Sequence, residues 1–381
     1  MSKNFQETYH GKKIDTANIL NIEDASKLIN GRKTVVITGV TGQDGSHMVD
    51  FLLKNTDYLI FGGVRRLSVY NHENIKHINS DRFHLINFDL TDSHAISRTI
   101  EKLQPDYFIN FAAQSFVASS WDFARQTWAT NSTAVLDILE GIRLYKPSCR
   151  LYQAGSSEEF GNVEYAPQDE NHPLKPRSPY GASKAASRQL VKVYRESYNI
   201  YAIQGWLFNH EGTRRGEEFV TRKITKNVAR IFNSIKNNQE FVPLELGNIE
   251  AKRDWSDAED FVEGVWMMLN QDKYNKNYNG TPKEYIFSSN ETHTIKEFVE
   301  KAFTIAGING KWIGENQHIM YISDDNKVLV QINSKFYRPA EVELLLGNSN
   351  KARKELGWSP KISFDKLVEK MVRCDIENSK S

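Results

Sequence analysis

The sequence predicts an α/β protein built on a Rossmann-like, doubly wound parallel sheet, with a smaller α/β region at the C-terminal end. Three observations lead to this fold class. Short runs of β-branched and aromatic residues alternate with helix-like segments through the first half of the chain. A glycine-rich turn follows the first run, as is typical of dinucleotide-binding sheets. After residue 208 the runs give way to polar loops rich in arginine and lysine.

Six runs are expected to form the strands of the main sheet: 33–38, 58–64, 83–88, 107–111, 151–154 and 200–207. Apolar residues at helical spacing predict helices over 221–235 and 257–270. The chain is expected to divide into an N-terminal extension (1–32), a nucleotide-binding domain (33–208) and a C-terminal region (209–381) interleaved with it. The polar extension is either a disordered tail or an arm that packs on a neighbouring subunit.

The turn after the first strand contains the residues expected to cradle a dinucleotide: Gly39, Gly42, Gln43, Asp44 and Gly45. Glycines let the backbone approach a pyrophosphate, and the next helix offers it N–H groups. The third strand ends at Asp89-Leu90, where an adenine is expected to be contacted. The second strand ends in Arg65-Arg66, where an NAD enzyme would have an acid. Arginine suits a 2′-phosphate, so NADP is favoured; a solvated basic loop is the alternative.

Tyr180 and Lys184 lie four residues apart in the segment S-P-Y-G-A-S-K. On a helix this spacing puts both side chains on one face. An ammonium group near a phenol favours the phenolate, so Tyr180, whose ordinary pKa is about 10, is predicted to act as a base nearer neutral pH. Ala112 follows the fourth strand, and Ser156 and Glu158 follow the fifth. In such folds ligands bind beyond these strand ends.

Composition argues against several classes of protein. The chain has 49 Lys and Arg against 48 Asp and Glu, a net charge of +1, so neither nucleic acid nor an anionic membrane is an expected partner. No apolar run reaches the roughly 18 residues of a membrane span. Cys149 and Cys374 are far apart and are expected to be buried or inert thiols, which fits a reducing cytoplasm. The ten histidines form no H-x-x-x-H pair, so no metal is expected.

Arginines and lysines concentrate in the second half of this nearly neutral chain. Arginine forks bind phosphate in a bidentate manner, so a C-terminal region that clamps the diphosphate of a sugar nucleotide is expected. The alternative is that each of these residues is a surface ion-pair partner.

Several longer segments carry a resemblance to one family. They are G-V-T-G-Q-D-G from Gly39, A-A-Q-S from Ala112, R-R-G-E-E-F-V-T-R-K from Arg214, A-K-R-D-W from Ala251 and Y-R-P-A-E-V from Tyr337. Over about 33–376 the chain resembles the extended short-chain dehydrogenases, and within them the GDP-mannose 4,6-dehydratase family.

The resemblance implies a lyase that converts GDP-mannose, or a related GDP-sugar such as GDP-manno-heptose, to its 4-keto-6-deoxy product with NADP regenerated in each turnover. Tyr180 would take the proton of the hydroxyl on carbon 4, supported by Lys184 and Ser156. Glu158 would take the hydrogen of carbon 5 before water leaves from carbon 6. A simple alcohol dehydrogenase or epimerase has no need of that acid.

The resemblance also implies binding roles. NADP would be contacted by Gln114, Tyr180, Lys184, His210 and Arg215, with Lys184 at its ribose. The GDP-sugar would meet a larger set of residues: Ser115, Asn209, Lys223, Arg253, Arg338 and Glu341. The segment R-R-L-S from Arg65 matches a loop that reaches the cofactor site of a neighbouring subunit, which implies a homotetramer.

Some residues depart from the family's pattern. The segment S-S-E-E-F-G from Ser156 stands where the family has T-S-E-L-Y-G, and Gln126 replaces a tyrosine. The first departure resembles the reductases of GDP-4-keto-6-deoxymannose. An NADPH-dependent reductase, a nucleotide-sugar epimerase and a cofactor-sensing regulator without catalysis therefore remain alternatives. Residues 116–121 differ around the expected sugar pocket, so the sugar is either a hexose or a heptose.

Overall fold

A computed structural model describes residues 7–9, 12–14, 19–66, 71–315, 318–336 and 344–379 of the chain. Its strands are β1 (Glu7–Tyr9), β2 (Lys12–Ile14), β3 (Ile19–Leu20), β4 (Thr34–Thr38), β5 (Leu59–Val64), β6 (Phe83–Asn87), β7 (Tyr107–Asn110), β8 (Arg150–Ala154), β9 (Ala202–Leu207), β10 (Asn209–Glu211), β11 (Leu244–Leu246), β12 (Lys252–Arg253), β13 (Trp255–Asp257), β14 (Ile286–Phe287), β15 (His293–Thr294), β16 (Gly310–Ile313), β17 (Met320–Ser323), β18 (Val328–Ile332) and β19 (Leu344–Leu345).

The α-helices are α1 (Ile22–Lys27), α2 (Gln43–Asn55), α3 (Ser93–Leu103), α4 (Ala124–Trp128), α5 (Ala134–Tyr145), α6 (Pro179–Tyr198), α7 (Val220–Lys236), α8 (Ala258–Leu269), α9 (Gln271–Tyr274), α10 (Ile295–Ile305), α11 (Asn350–Leu356) and α12 (Phe364–Asn378). Within the described ranges, no helix combines the length and the apolar character needed to cross a membrane.

The main sheet has eight strands in the order β14-β9-β8-β7-β4-β5-β6-β3. The pairs β14–β9, β8–β7, β7–β4, β4–β5, β5–β6 and β6–β3 are parallel. Every residue of β4 and β5 is buried, as expected for strands covered on both faces. The strand order reverses between β4 and β7, which is the point where doubly wound sheets bind dinucleotides. The fold class and its six predicted strands are confirmed.

The chain forms two compact units. The first comprises Met1–Ala113, Trp128–Ala154 and Ser187–Gln204. Its hydrophobic core includes residues of β4–β8 together with the apolar faces of α3 and α5. Cys149 is fully buried in this core.

The structure corrects the expectation for the end of the N-terminal extension. Ile19 and Leu20 form β3, which pairs in parallel with β6. Ala25 of α1 is fully buried in the core of the first unit. For these residues neither a disordered tail nor an arm on a neighbour is right, because they extend the sheet of their own unit. A strand of two residues gives too short a pattern to be predicted from sequence.

The second unit comprises Gln114–Thr127, Gly155–Ala186 and Gly205–Ser381. It contains a parallel pair β10–β13, a three-stranded sheet β15-β12-β19 and a mixed sheet β11-β18-β17-β16. Helices α7 and α12 contribute to its core and are joined by a buried ion pair, with 2.7 Å between Arg222 and Asp375. The predicted helices 221–235 and 257–270 are confirmed as α7 and α8. The predicted domain boundaries stay a prediction.

Candidate active site

The glycine-rich turn of the first unit is shaped for close backbone approach. Gly39 has φ of +67°, and a Cβ atom there would lie 2.8 Å from the backbone nitrogen of Ala112. A Cβ atom on Gly45 would lie 2.3 Å from the carbonyl oxygen of Gly39. Gly42 caps α2, which begins at Gln43. Only glycine fits at positions 39 and 45. The turn leads into a helix N-terminus, the feature that binds pyrophosphate.

A polar network joins the ends of three strands beside this turn. The Thr38 hydroxyl donates to the side chain of Asn110, and Asn110 Nδ2 donates to Gln153 Oε1 at 2.6 Å. The backbone N–H of Ala112 donates to Thr38 Oγ1 at 3.1 Å. These bonds hold the carboxyl ends of β4, β7 and β8 together, so the predicted cofactor residues Gly39 and Ala112 are neighbours.

The other predicted cofactor residues of this unit follow β5 and β6. Arg65 and Arg66 come directly after β5, and both are exposed. After β6, Leu90 is buried, while the Asp89 carboxylate accepts hydrogen bonds from the backbone and hydroxyl of Thr91 at 2.9 and 2.8 Å. Residues 67–70, which complete the predicted subunit-crossing loop, lie outside the described residues.

In the second unit, the start of α6 holds the predicted base. Ser178 caps this helix: its hydroxyl accepts from the backbone N–H of Gly181 at 3.0 Å. Pro179 occupies the first helical position, where its missing N–H costs nothing. Tyr180 and Lys184 are both buried, and the Lys184 ammonium lies 5.8 Å from the centroid of the Tyr180 ring. The predicted shared face of Tyr180 and Lys184 is confirmed.

The surroundings of the Tyr180 phenol differ from the expectation. Burial raises the pKa of Tyr180 to about 12, and the Ser156 hydrogen bond works in the opposite direction. The negative charges of Glu158 and Glu159 raise this pKa further, whereas Arg215 lowers it. In the chain by itself, desolvation of the phenolate outweighs the favourable neighbours. The role of Tyr180 as a base nearer neutral pH stays a prediction. The predicted group of Ser156, Glu158 and Tyr180 is nevertheless brought together.

Gly181 explains how closely the segment of Glu158 approaches the start of α6, where Tyr180 lies. A Cβ atom at this position would lie 2.6 Å from the carbonyl oxygen of Glu158 and 3.1 Å from the Cβ of Pro176. The turn that follows β8 therefore packs directly on the first turn of α6. Sequence reasoning did not assign a role to Gly181, and its place beside Tyr180 was the only signal.

A second basic group approaches the phenol from the loop after β10. Arg215 Nε lies 3.1 Å from Glu211 Oε2, and its guanidinium stacks 3.6 Å from the centroid of the Phe219 ring. Glu211 is buried and also accepts from the Thr221 hydroxyl at 2.6 Å. Glu211 was missed from sequence, although its i,i+4 spacing to Arg215 was a usable signal. The Glu211 carboxylate thereby holds the guanidinium of Arg215, which is the predicted NADP contact.

His210 and Asn209 lie on β10. The His210 ring donates from Nδ1 to the Phe208 carbonyl at 2.8 Å and packs 4.8 Å from the Phe261 ring centroid. Asn209 Oδ1 is buried and meets no hydrogen-bond donor among the described residues. A buried amide oxygen of this kind fits a hydroxyl or N–H group supplied by a ligand.

The remaining predicted substrate residues lie on separate elements. Lys223 of α7 donates to the Glu245 carbonyl at 2.7 Å and lies 3.5 Å from the Phe336 ring centroid, and burial lowers its pKa. Arg253 of β12 is buried. Ser115 is exposed. Arg338 and Glu341 lie outside the described residues.

Gln114, the last predicted cofactor residue, is fixed by its own loop. Its Nε2 atom donates to the Phe116 carbonyl at 3.0 Å and to Ser119 Oγ at 2.5 Å, and Oε1 accepts from the Thr127 hydroxyl at 3.3 Å. For metals, a search of the described ranges finds no group of three or more His, Cys, Asp or Glu side chains suited to hold an ion.

A parallel dinucleotide-type sheet and a Ser–Tyr–Lys group with an adjacent glutamate define a short-chain dehydrogenase-like protein. Comparison with known proteins gives the family. The family model described as GDP-mannose 4,6 dehydratase matches residues 36–371. The chain is 42% identical to GDP-mannose 4,6 dehydratase of Drosophila melanogaster over 355 residues, covering 91% of this chain and 86% of that protein. It is 39% identical to the Homo sapiens protein of the same name over 356 residues, covering 91% and 92%. The chain therefore belongs to the GDP-mannose 4,6 dehydratase family, and the resemblance is confirmed.

Solved structures agree on the fold. The chain is similar to dTDP-glucose 4,6-dehydratase of Bacillus anthracis in complex with NAD, with a TM-score of 0.72 and 20% identity over 91% of this chain and 98% of that one. It is similar to UDP-glucose 4-epimerase of Thermotoga maritima with UDP-glucose, with a TM-score of 0.73 and 21% identity over 91% and 100%.

Proposed function

We propose that the protein is a GDP-sugar 4,6-dehydratase that uses NADP. Support comes from relatives of that name at about 40% identity over more than nine-tenths of the chain. The observation that carries the proposal is the group formed by Ser156, Glu158 and Tyr180 in the second unit, with Lys184 over the Tyr180 ring. The serine, tyrosine and lysine suit oxidation of an alcohol, and the glutamate supplies the additional base that removal of water requires.

Each step of the reaction has a residue. Tyr180 removes the proton of the hydroxyl on carbon 4, assisted by the hydrogen bond from Ser156. Bound NADP would supply the site for temporary storage of the hydride that passes from carbon 4 to carbon 6. Oxidation of carbon 4 acidifies the hydrogen on carbon 5, which Glu158 takes as general base. Glu158 gives that proton to the hydroxyl of carbon 6, which leaves as water, and the proton that Tyr180 took from the hydroxyl on carbon 4 balances the one that returns to carbon 5. Atoms and electrons balance with the loss of one water.

The first unit fits a dinucleotide, and its charges favour NADP. The contacts between Gly39, Gly45 and Ala112 leave no room for side chains where a pyrophosphate would approach. Arg65 and Arg66 are exposed at the end of β5 and are proposed to bind the 2′-phosphate. His210 and Arg215 are proposed as further contacts with NADP.

The GDP-sugar is proposed to bind the residues carried over from the family. Asn209 Oδ1, buried without a donor among the described residues, supports a polar ligand contact at β10. Lys223 and Arg253 supply positive charge, and we propose Arg338, Glu341 and Ser115 on the basis of the family's motifs alone. The Phe116 ring meets Phe219 edge to face, 6.1 Å between centroids. Phe219 also lies under Arg215. Because the segment that contains Phe116 differs from the family while Ser156, Glu158, Tyr180 and Lys184 are kept, we propose that the difference alters the size of the sugar and not the chemistry.

The deciding experiment is incubation with GDP-mannose and, separately, with GDP-manno-heptose, followed by measurement of the product mass. Loss of one water without added reductant is expected. A reductase would instead consume NADPH in proportion to product, and an epimerase would leave the mass unchanged. Either of those results would overturn the proposal.

We further propose a homotetramer in the cytoplasm. Some large apolar side chains on α5 and α6 of the first unit are half exposed, among them Leu144 at 57% and Val193 at 52%, and a neighbouring subunit is proposed to cover them. Light scattering is expected to give four chains per particle. A fully active monomer would contradict the assembly, and with it the proposal that residues from Arg65 onward complete a neighbour's cofactor site.

A further inference from the structure

Glu159 is a buried acid that the proposed reaction does not use. Its side chain is fully buried in the short 3-10 turn Ser157–Glu159 that follows β8. The next residue, Phe160, is also fully buried and stacks on Trp206 with 5.8 Å between ring centroids. An acid is costly to bury beside aromatic rings unless its oxygens are well occupied. The contacts of this carboxylate therefore indicate what it does.

The carboxylate holds the backbone of Ser156. Glu159 Oε1 accepts from the backbone N–H of Ser156 at 2.8 Å, and the Ser156 hydroxyl accepts from the N–H of Glu158 at 3.2 Å. Together these bonds form a capping box around the turn. Ser156 is consequently held from both its backbone and its side chain. Its hydroxyl is the group that hydrogen-bonds the Tyr180 phenol.

We propose that Glu159 is a positioning residue for the reaction: its carboxylate fixes the backbone of Ser156 and thereby holds the Ser156 hydroxyl against Tyr180. The inference rests on the proposed function, since Ser156 and Tyr180 act there on the hydroxyl of carbon 4. It assigns the second glutamate of S-S-E-E a role distinct from that of Glu158, which acts on carbon 5.

Glu159 also acts on Tyr180 through its charge. The charged and polar groups that face the phenol are Ser156, Glu158, Glu159, Lys184 and Arg215. The Glu159 carboxylate raises the pKa of Tyr180, whereas its hydrogen bond orders the serine that lowers it. Two substitutions separate these effects. Glu159→Gln keeps an oxygen acceptor and removes the charge, and Glu159→Leu removes both.

The expected results differ between the variants. Glu159→Leu leaves the Ser156 N–H without its acceptor, so kcat should fall about tenfold to a hundredfold while KM for the GDP-sugar changes little. Glu159→Gln should keep most of kcat, and the acidic limb of its pH profile should move to lower pH because one charge that raises the pKa of Tyr180 is gone. Glu164→Gln, an exposed partner of Lys175 in the same segment, is the matched control and should behave as wild type.

A double-mutant cycle tests whether Glu159 acts through Ser156. In a Ser156→Ala background, adding Glu159→Leu should cause little further loss of kcat. Full additivity of the two losses would overturn the proposal, as would a Glu159→Leu enzyme with unchanged kcat. Equal losses in Glu159→Gln and Glu159→Leu would also overturn it, because the acceptor would then not be what matters.

A crystal structure of each variant gives a readout that does not depend on dehydration. The Ser156–Tyr180 hydrogen bond should persist in Glu159→Gln and be lost in Glu159→Leu. If wild type removes no water from either GDP-sugar, the proposed function fails, yet this structural comparison still decides whether Glu159 positions Ser156. An unchanged Ser156 in Glu159→Leu would overturn the inference even in a fully active dehydratase.

Discussion

Gly181→Ala should damage catalysis while leaving the fold almost intact. The added Cβ atom would lie 2.6 Å from the Glu158 carbonyl oxygen, whereas ordinary contacts begin at 3.4 Å, so about 0.8 Å must be recovered by movement. The oxygen belongs to backbone and cannot rotate away. Either the turn that carries Glu158 or the first turn of α6 that carries Tyr180 must therefore shift.

The two energetic effects of this substitution oppose each other. Alanine is better than glycine in a helix by about 1 kcal/mol, and overpacking costs about 1–3 kcal/mol. The free energy of unfolding should thus fall by at most about 2 kcal/mol. Catalysis is more sensitive, since a misplacement of about 1 Å in reacting groups can cost about a hundredfold in rate.

The assay is steady-state dehydration of GDP-mannose beside thermal unfolding of the same preparation. We expect kcat to fall by about ten- to a hundredfold with a small change in Tm. Gln189→Ala, on the exposed face of the same helix, is the control. A Gly181→Ala enzyme with kcat within about twofold of wild type would refute the argument that this close contact sets the geometry of Glu158 and Tyr180.

Three further predictions concern Glu158, the pair Arg65 and Arg66, and Asp254. Glu158→Gln should abolish loss of water yet leave GDP-sugar affinity nearly unchanged by calorimetry, because it removes the base for carbon 5; normal turnover would exclude Glu158 as that base. Replacing Arg65 and Arg66 with alanine should weaken NADP binding more than tenfold and NAD binding little, since a charge-assisted contact contributes about 1.5–3 kcal/mol; equal affinities for both cofactors in wild type would contradict this. Burial raises the pKa of Asp254 to about 6 from 3.8. Between these two values the folded state keeps a proton on Asp254 that the unfolded state has released. The contribution of Asp254 to the free energy of unfolding therefore falls as pH rises from about 4 to about 6. Asp254→Asn should flatten the pH dependence of unfolding in that window, and unchanged slopes would show that another group is responsible.

The main sheet was predictable because its strands carry long, locally readable patterns. Residues 59–64 of β5 are buried throughout, and the sequence there is an uninterrupted apolar and glycine run. The strands β3 and β14 contain two residues each, so no periodicity reveals them. They exist because β6 and β9 offer open hydrogen-bonding edges, which is a property of the folded sheet.

The site residues that a local sequence pattern encodes were also predictable, and those that depend on the folded structure were not. Tyr180 and Lys184 were predictable, since both lie on one helix and their spacing determines a shared face. The Glu211–Arg215 ion pair has the same kind of local spacing, although its contribution depends on Phe219 lying beneath the guanidinium. The contact between Gly181 and Glu158 joins segments that are distant in sequence, and no local pattern encodes it.

The phenol of Tyr180 shows why local spacing was not enough to predict its chemistry. The Tyr–Lys spacing predicts a base nearer neutral pH, whereas burial of the ring in the chain by itself raises the pKa of Tyr180 to about 12. Desolvation is a property of everything packed around the group and cannot be read from one motif. The Ser156 hydrogen bond is a directional contact that favours the phenolate from within this buried setting. The position of the Ser156 hydroxyl should therefore have a strong effect on kcat, which the Tyr–Lys spacing does not reveal. That position depends on the carboxylate of Glu159.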